Sequence, residues 1–253
     1  MLNLKDTTFI IPVRIESRDR EFNFRHVIRY LCEHFETTII IKESDENSRV
    51  KDLLWNFDRI KTTIIHEFEQ SNDPAFHRTR LLNEMLHKVK TPVTANYDID
   101  VLMDPDVYIK AQHEILHHGA DLVYPYFKGE SQMMMKHNGN GSLEEDFVLH
   151  GSVCGHCQFF RTSAYREGGM ENENFISYGP EDSERMHRFQ MLGYKVLWLD
   201  NYIMHIEHSR TENSSDKNPL FRANDHLYKK LIAMPEPELR QYYKQQQYLN
   251  KYV

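Results

Sequence analysis

The chain is poor in the residues that build disulfide-stapled, fibrous or membrane-spanning proteins. Of its 253 residues only 3 are cysteine, 10 glycine and 9 proline. Three thiols make no disulfide framework, and so little glycine and proline excludes a low-complexity or collagen-like chain. No apolar run approaches the roughly 20 residues that cross a bilayer. The opening MLNLKDTTFIIPVR lacks the charged-then-apolar layout of a signal peptide. A cytoplasmic location is the resulting expectation, with peripheral attachment to the inner face of a membrane left open. Positive charge is not in excess either, since the formal net charge is −7. Duplex nucleic acid needs a basic footprint, so no nucleic-acid partner is expected.

What is present is ordinary globular material, with 40% hydrophobic and 27% charged residues. That length and composition fit one α/β domain with a full core, spanning residues 1–253. Short β-branched or aromatic runs at 7–13, 37–41, 62–66, 121–126 and 195–200, with TPVTANY before Asp98, read as strands. Helical spacing predicts helices near 22–34, 47–58, 74–90, 105–118 and 181–192. In the third of these, Asp73 is the expected N-cap and Pro74 the first helical position. Strands alternating with helices imply a mostly parallel sheet covered on both faces. Residues 128–147 read as a mobile flap or binding loop, residues 209–218 as a polar link, and the tail beyond them as helical, packed on its own domain.

The chemistry concentrates in five places. NYDIDVLMDP sets Asp98 and Asp100 two residues apart at a strand end, where both carboxylates can reach one point. NYIMHIEHSR carries His205 and His208, which are either surface histidines or the nitrogen ligands of the same site. One carboxylate with two imidazoles suits Mn²⁺, and would also take Zn²⁺ or Co²⁺. After a Gly179-Pro180 turn, Glu181 and Asp182 open a helix whose dipole keeps a carboxylate ionised, whether as a structural cap or as a general base. His113-Glu114-Ile115-Leu116-His117 satisfies HExxH, the zinc-protease pattern, but Ala120 and Val123 stand where one continuation of it needs Gly and His. Cys154 and Cys157 form a CxxC around His156 with no second pair to complete a zinc site, and read as buried small residues.

Taken in order, FIIPVR, FHRTRLLNEMLHKV, NYDIDVLMDP, GGMENENFISYGPEDSERMHRF and MHIEHSRTENSSDKNPLFR resemble five blocks of the β-1,4-galactosyltransferases. The similarity runs from about residue 8 to residue 222. Polypeptide N-acetylgalactosaminyltransferases and bacterial chondroitin-type polymerases share several of the blocks. The resemblance implies a GT-A fold and metal-dependent, inverting transfer of galactose or N-acetylgalactosamine from a UDP-sugar to a glycan hydroxyl. It implies a mainly nucleotide-binding half at 1–127, an acceptor and catalytic half at 128–222, and a helical tail at 223–253.

Position by position, the resemblance places Pro12, Val13, Arg14, Phe76, Arg78 and Asp98 at the nucleotide. Asp100, His205 and His208 become the Mn²⁺ ligands, and Gly155, Tyr178 and Glu181 the sugar contacts. Asp182 becomes the base, with Glu181 beside it. Departures from the family are SYGPED in place of WGWGGED and His205 in place of Met. The resemblance also suggests a capsule, lipopolysaccharide or other surface glycan as product. A catalytically degenerate module that binds glycan or nucleotide is the alternative from another class, and a zinc protease a remote one.

Overall fold

The structure is a computed structural model and describes residues 1–56, 61–128, 130–139, 141–150 and 154–252. Three strands, β1 (Leu2–Val13), β2 (Phe35–Asp45) and β3 (Thr63–Gln70), alternate with α1 (Arg18–His34) and the short α2 (Val50–Leu53). Then come α3 (Arg78–Lys88), β4 (Val93–Tyr97), β5 (Val101–Leu102), α4 (Pro105–His117) and β6 (Leu122–Tyr124). A hairpin of β7 (Glu130–His137) and β8 (Leu143–His150) precedes β9 (Cys157–Arg161), α5 (Thr162–Glu167) and α6 (Glu181–Met191). The last strands are β10 (Val196–Trp198) and β11 (Ile203–Ile206), and the tail is α7 (Phe221–Ile232) and α8 (Glu236–Lys244).

Seven strands join in the order β10-β6-β9-β4-β1-β2-β3, all pairings parallel except those of β9. Strands covered by helices on both faces must be apolar on both sides. Phe9, Ile10 and Ile11 of β1 and Ile39, Ile40 and Ile41 of β2 are accordingly buried without alternation. The helices pack against them by single faces: Val27, Ile28 and Leu31 of α1, Leu82, Met85 and Leu86 of α3, and Ala111 and Ile115 of α4. β1 and β4 are neighbours and parallel, so their carboxyl ends bring Arg14 and Asp98 to the same edge. Open α/β sheets bind ligands at that edge.

A second, four-stranded sheet in the order β5-β11-β7-β8 stands over the same edge. In its register His205 faces Val101, the residue after Asp100. The Ile206 N–H donates to the Asp100 carbonyl at 2.7 Å. Backbone pairing therefore fixes the distance between the acidic segment and the histidine segment.

Sequence expectations differ from the structure at several points. The expected flap at 128–147 falls in the β7–β8 hairpin, whose two strands pair antiparallel from Glu130 opposite His150 to His137 opposite Leu143; Gly129 and Asn140 lie outside the described residues. The helix expected at 47–58 is only α2 and one further turn to Asn56, with 57–58 outside the described residues. Asp73 does not cap α3, which begins at Arg78 with no side-chain cap. Its carboxylate accepts instead from the Ala75 N–H at 2.9 Å and from His77 at 3.0 Å, a local turn that competes with the helix start. Asp98 and Asp100 lie in a turn beyond β4 rather than in an extended strand. Strands β5, β9 and β11 and the short α5 had no clear sequence signal.

The tail packs on its own chain. Phe175, Leu231, Leu239 and Tyr243 form a small core. The Tyr243 hydroxyl donates to Glu184 of α6 at 2.6 Å, and the Arg188 guanidinium lies 4.3 Å from the centre of its ring. Leu239 is fully buried there, so Leu239→Ala is expected to cost about 2–5 kcal/mol in urea unfolding. A cost under about 1 kcal/mol would mean that the tail does not support the domain.

Candidate active site

A cavity of about 490 Å³ opens at the carboxyl edge of the large sheet. Its walls include Pro12 at the end of β1 and Arg14 just after it, Phe76 and Arg78 at the start of α3, and Asp98 and Asp100 after β4. Gly155, Tyr178, Glu181, Asp182, His205 and His208 complete the set expected from the sequence. Of those residues only Val13 does not line it, being buried in the sheet.

At one corner Asp100, His205 and His208 each offer a ligand atom, all within 4.8 Å of one another. The arrangement of protons is readable from their partners. His205 Nδ1 lies 2.8 Å from the Gln132 Oε1 acceptor, and His208 Nδ1 lies 3.0 Å from the Ser209 carbonyl. Both Nδ1 atoms therefore donate, leaving the Nε2 lone pairs free. His208 Nε2 sits 3.2 Å from Asp100 Oδ2. Two acceptors at that distance need a proton or a cation between them, and the N₂O donor set fits Mn²⁺, Zn²⁺ or Co²⁺. Burial pushes the Asp100 carboxyl up, but hydrogen bonding and charge from His208 and His205 when these are protonated, together with the Arg20 charge, bring it below the usual carboxylate range. Arg20 of α1, unmarked in the sequence, reaches Asp100 Oδ2 at 3.6 Å and lines the cavity.

The two acids of the pair do not converge. Asp98 is paired with Arg78, which donates to its Oδ1 at 2.9 Å, and burial pushes its carboxyl up. The other arm of Arg78 lies 3.6 Å from Asp182 Oδ1, so one guanidinium ties the strand end to the start of α6. Arg185 also donates to Asp182 Oδ1. Burial raises the Asp182 carboxyl, and the two arginines more than reverse that, keeping it ionised. Oδ2 is the remaining atom. An ideal Cβ on Gly155 would fall 2.8 Å from it, so the residue under Asp182 must lack a side chain. Glu181 is different: burial first, then the Asp182 charge, pushes its carboxyl up to about 8.

Around these groups, Arg14 donates to the Ser44 and Pro74 carbonyls and lies 5.3 Å from the Phe76 ring centre. Tyr178 stacks on Phe221 of α7 at 5.9 Å. The polar 209–218 segment is part of the wall rather than a link. Asn213 accepts from the Phe76 N–H at 3.2 Å and from the Ser177 hydroxyl at 2.7 Å, and donates to Glu16 at 2.8 Å. Its Asn and Ser composition was the only signal. His156 also faces the cavity, with its ring centre 4.8 Å from that of His205, and burial pushes its imidazole down to about 4.

The other motifs lie apart or are inert. Cys154 and Cys157 are free and buried, and burial pushes the Cys154 thiol up to about 11. The HExxH residues His113 and His117 sit exposed on α4, outside the cavity lining. There the clustered triplet is His113, Glu114 and His118, not the protease set.

No protein-family model matches the chain, and no curated protein matches it in sequence. Solved structures do. A mannosyltransferase from Pyrobaculum calidifontis, solved with GDP-Man and Mn²⁺, superposes with a TM-score of 0.55 at 13% identity, over 96% of this chain and 69% of that one. A Drosophila β-1,4-galactosyltransferase 7 mutant, solved with manganese, UDP-Gal and xylobiose, gives 0.52 at 13%, over 90% and 79%. TarS of S. aureus, solved with UDP-GlcNAc, gives 0.54 at 14%, over 84% and 61%. The chain has the GT-A fold of these glycosyltransferases.

The Glu181 carboxyl gives a pH signature. Between its ordinary 4.5 and about 8 the folded chain holds a proton that the unfolded chain releases. Stability must then fall as pH rises through that window. In chelator, urea unfolding of Glu181→Gln should show a flatter decline from about pH 5 to about pH 8 than the parent; equal slopes would assign the decline elsewhere.

Proposed function

We propose that the protein is a metal-dependent glycosyltransferase that moves a hexose from a UDP-sugar to a glycan hydroxyl with inversion. The observation that carries the reading is the joining, in one cavity, of a clustered Asp100, His205 and His208 with a separate ionised carboxylate, Asp182. Among the described residues no helix is long and apolar enough to cross a membrane.

In this reading Asp100, His205 and His208 would hold Mn²⁺, and a divalent cation held there would supply positive charge against the departing diphosphate. Arg14 and Phe76 present a guanidinium and an aromatic face to the nucleotide, beside Pro12 and Asp98, while Arg78 holds Asp98 in place. Gly155 and Tyr178 offer a bare floor and a flat ring to the sugars. Asp182, ionised by its two arginines, removes the proton of the attacking hydroxyl through its free Oδ2. Attack from the face opposite the leaving group inverts the anomeric centre. Glu181, protonated up to about pH 8, donates a hydrogen bond to the acceptor at neutral pH. Donor contacts thus come from both sides of residue 127, since the metal ligands His205 and His208 belong to the later half.

The test is a donor screen with purified protein, Mn²⁺, a panel of UDP-hexoses and GDP-mannose, scored for release of the nucleoside diphosphate. Asp182→Asn is expected to lower transfer by about 10²–10⁴-fold while UDP still binds. Asp100→Ala should weaken Mn²⁺-dependent UDP binding. Full transfer by the Asp182 variant would remove the proposed base. UDP binding without any sugar release by the parent would favour a binding module.

A further inference from the structure

His156 stands apart from the residues that the glycosyltransferase reading employs. Its backbone takes a left-handed conformation, φ +65°, which only a few per cent of non-glycine residues adopt, asparagine, aspartate and histidine more readily than the rest. Such strain persists only where the surroundings impose it, and it collects at ligand sites. The surroundings are visible: the His156 carbonyl accepts from the Asp98 N–H at 2.9 Å, and the next residue, Cys157, pairs with Tyr97 across β4 and β9. The twist turns the imidazole out of the ladder and into the cavity. There it leans on His205, ring centres 4.8 Å apart, but it is not in the Asp100, His205 and His208 cluster. Neither ring nitrogen has a hydrogen-bond partner among the described residues, although Gln132 and Ser209 serve the two neighbouring histidines.

Position decides what the ring meets. One neighbour of His156 in the chain, Gly155, lies under Asp182 Oδ2, and its own carbonyl holds Asp98. The ring therefore lies between the diphosphate corner and the base. In a displacement with inversion the transferred sugar must span that interval. We propose that His156 is a specificity-determining residue whose imidazole hydrogen-bonds a hydroxyl of the transferred hexose; this rests on the donor reading above. A neutral imidazole carries one donor and one acceptor, so it can match one hydroxyl orientation and reject its epimer.

The experiment is equilibrium binding of UDP and of a set of epimeric UDP-hexoses in Mn²⁺, for the parent and for His156→Phe and His156→Asn. Phe keeps the planar ring without nitrogens, and Asn tolerates the left-handed backbone while keeping a polar group. The expected result is unchanged UDP affinity in both variants. In His156→Phe the preference for the best UDP-hexose over its epimer should fall about three- to tenfold, with partial recovery in His156→Asn. If the preference survives in His156→Phe with UDP affinity intact, the proposal is overturned and the donor reading stands. If UDP affinity falls in proportion in both variants, His156 merely supports His205, and the proposal is again overturned. Absence of Mn²⁺-dependent UDP binding in the parent would overturn both readings.

Discussion

The cavity is built around one buried charge. Arg185 of α6 has no exposed surface, and a guanidinium in that position is tolerable only when its charge is compensated; both of its arms are partnered, and Nε alone is left without one among the described residues. One arm donates to both oxygens of buried Glu171 at 2.7 Å, and the other to Gln158 Oε1 at 3.0 Å and to Asp182. Glu171 in turn accepts from the Tyr165 hydroxyl. A helix, a loop and strand β9 are thus held to one point. Hydrophobic packing would bring these elements together without fixing their angles, whereas charge-assisted hydrogen bonds specify both distance and direction. The exposed end of the same network is Asp182. Its geometry is a by-product of neutralising Arg185, which is why its carboxylate is immobile and ionised before any ligand arrives.

The sequence disclosed the part of this that depends on residue type and short spacing. Apolar runs such as Ile39 to Ile41 marked the central strands because a strand buried on both faces has no other composition. Asp100, His205 and His208 were legible because few residue types hold a hard cation, and ordered blocks made their partnership readable over a hundred intervening residues. Strands β5 and β11 were not legible. They are short, and their identity comes from pairing with each other, which no local pattern encodes. Asp73 misled for a related reason: its side chain serves a turn as readily as a helix. His156 was noticed only as a residue inside a CxxC, because a positive φ is imposed by tertiary bonds and leaves no mark in composition.

Backbone strain gathers at the cavity. Among the described non-glycine residues, positive φ occurs at His156, Met170 and Ser177, and two of these line it. Ser177 is held by side chains of the segment after β11, with Asn213 accepting from its hydroxyl and Asn218 donating to it at 2.7 Å. Asn224 of α7 holds the flanking carbonyls of Ile176 and Tyr178 at 2.8 and 3.0 Å. Amides thus fix the loop that carries Tyr178, where the large sheet offers no backbone partners. A wall made this way is specified by hydrogen bonds rather than by bulk, so its shape can change through single amide substitutions while the core is untouched.

The contact between Tyr243 and Glu184 spans 59 residues. Chain order then becomes an order of assembly. During synthesis α6 emerges with its Arg188–Glu184 pair uncovered, and both groups keep their water until α8 has been made and has folded back. Closing that loop is among the entropically costly, non-local steps that set folding speed. The large sheet closes over comparable separations, since β1 pairs with β4 and β10 with β6, so sheet and helix α6 alike depend on partners distant in the chain. The seating of the helix that carries Asp182 therefore depends on a segment that the chain supplies only 59 residues after Glu184.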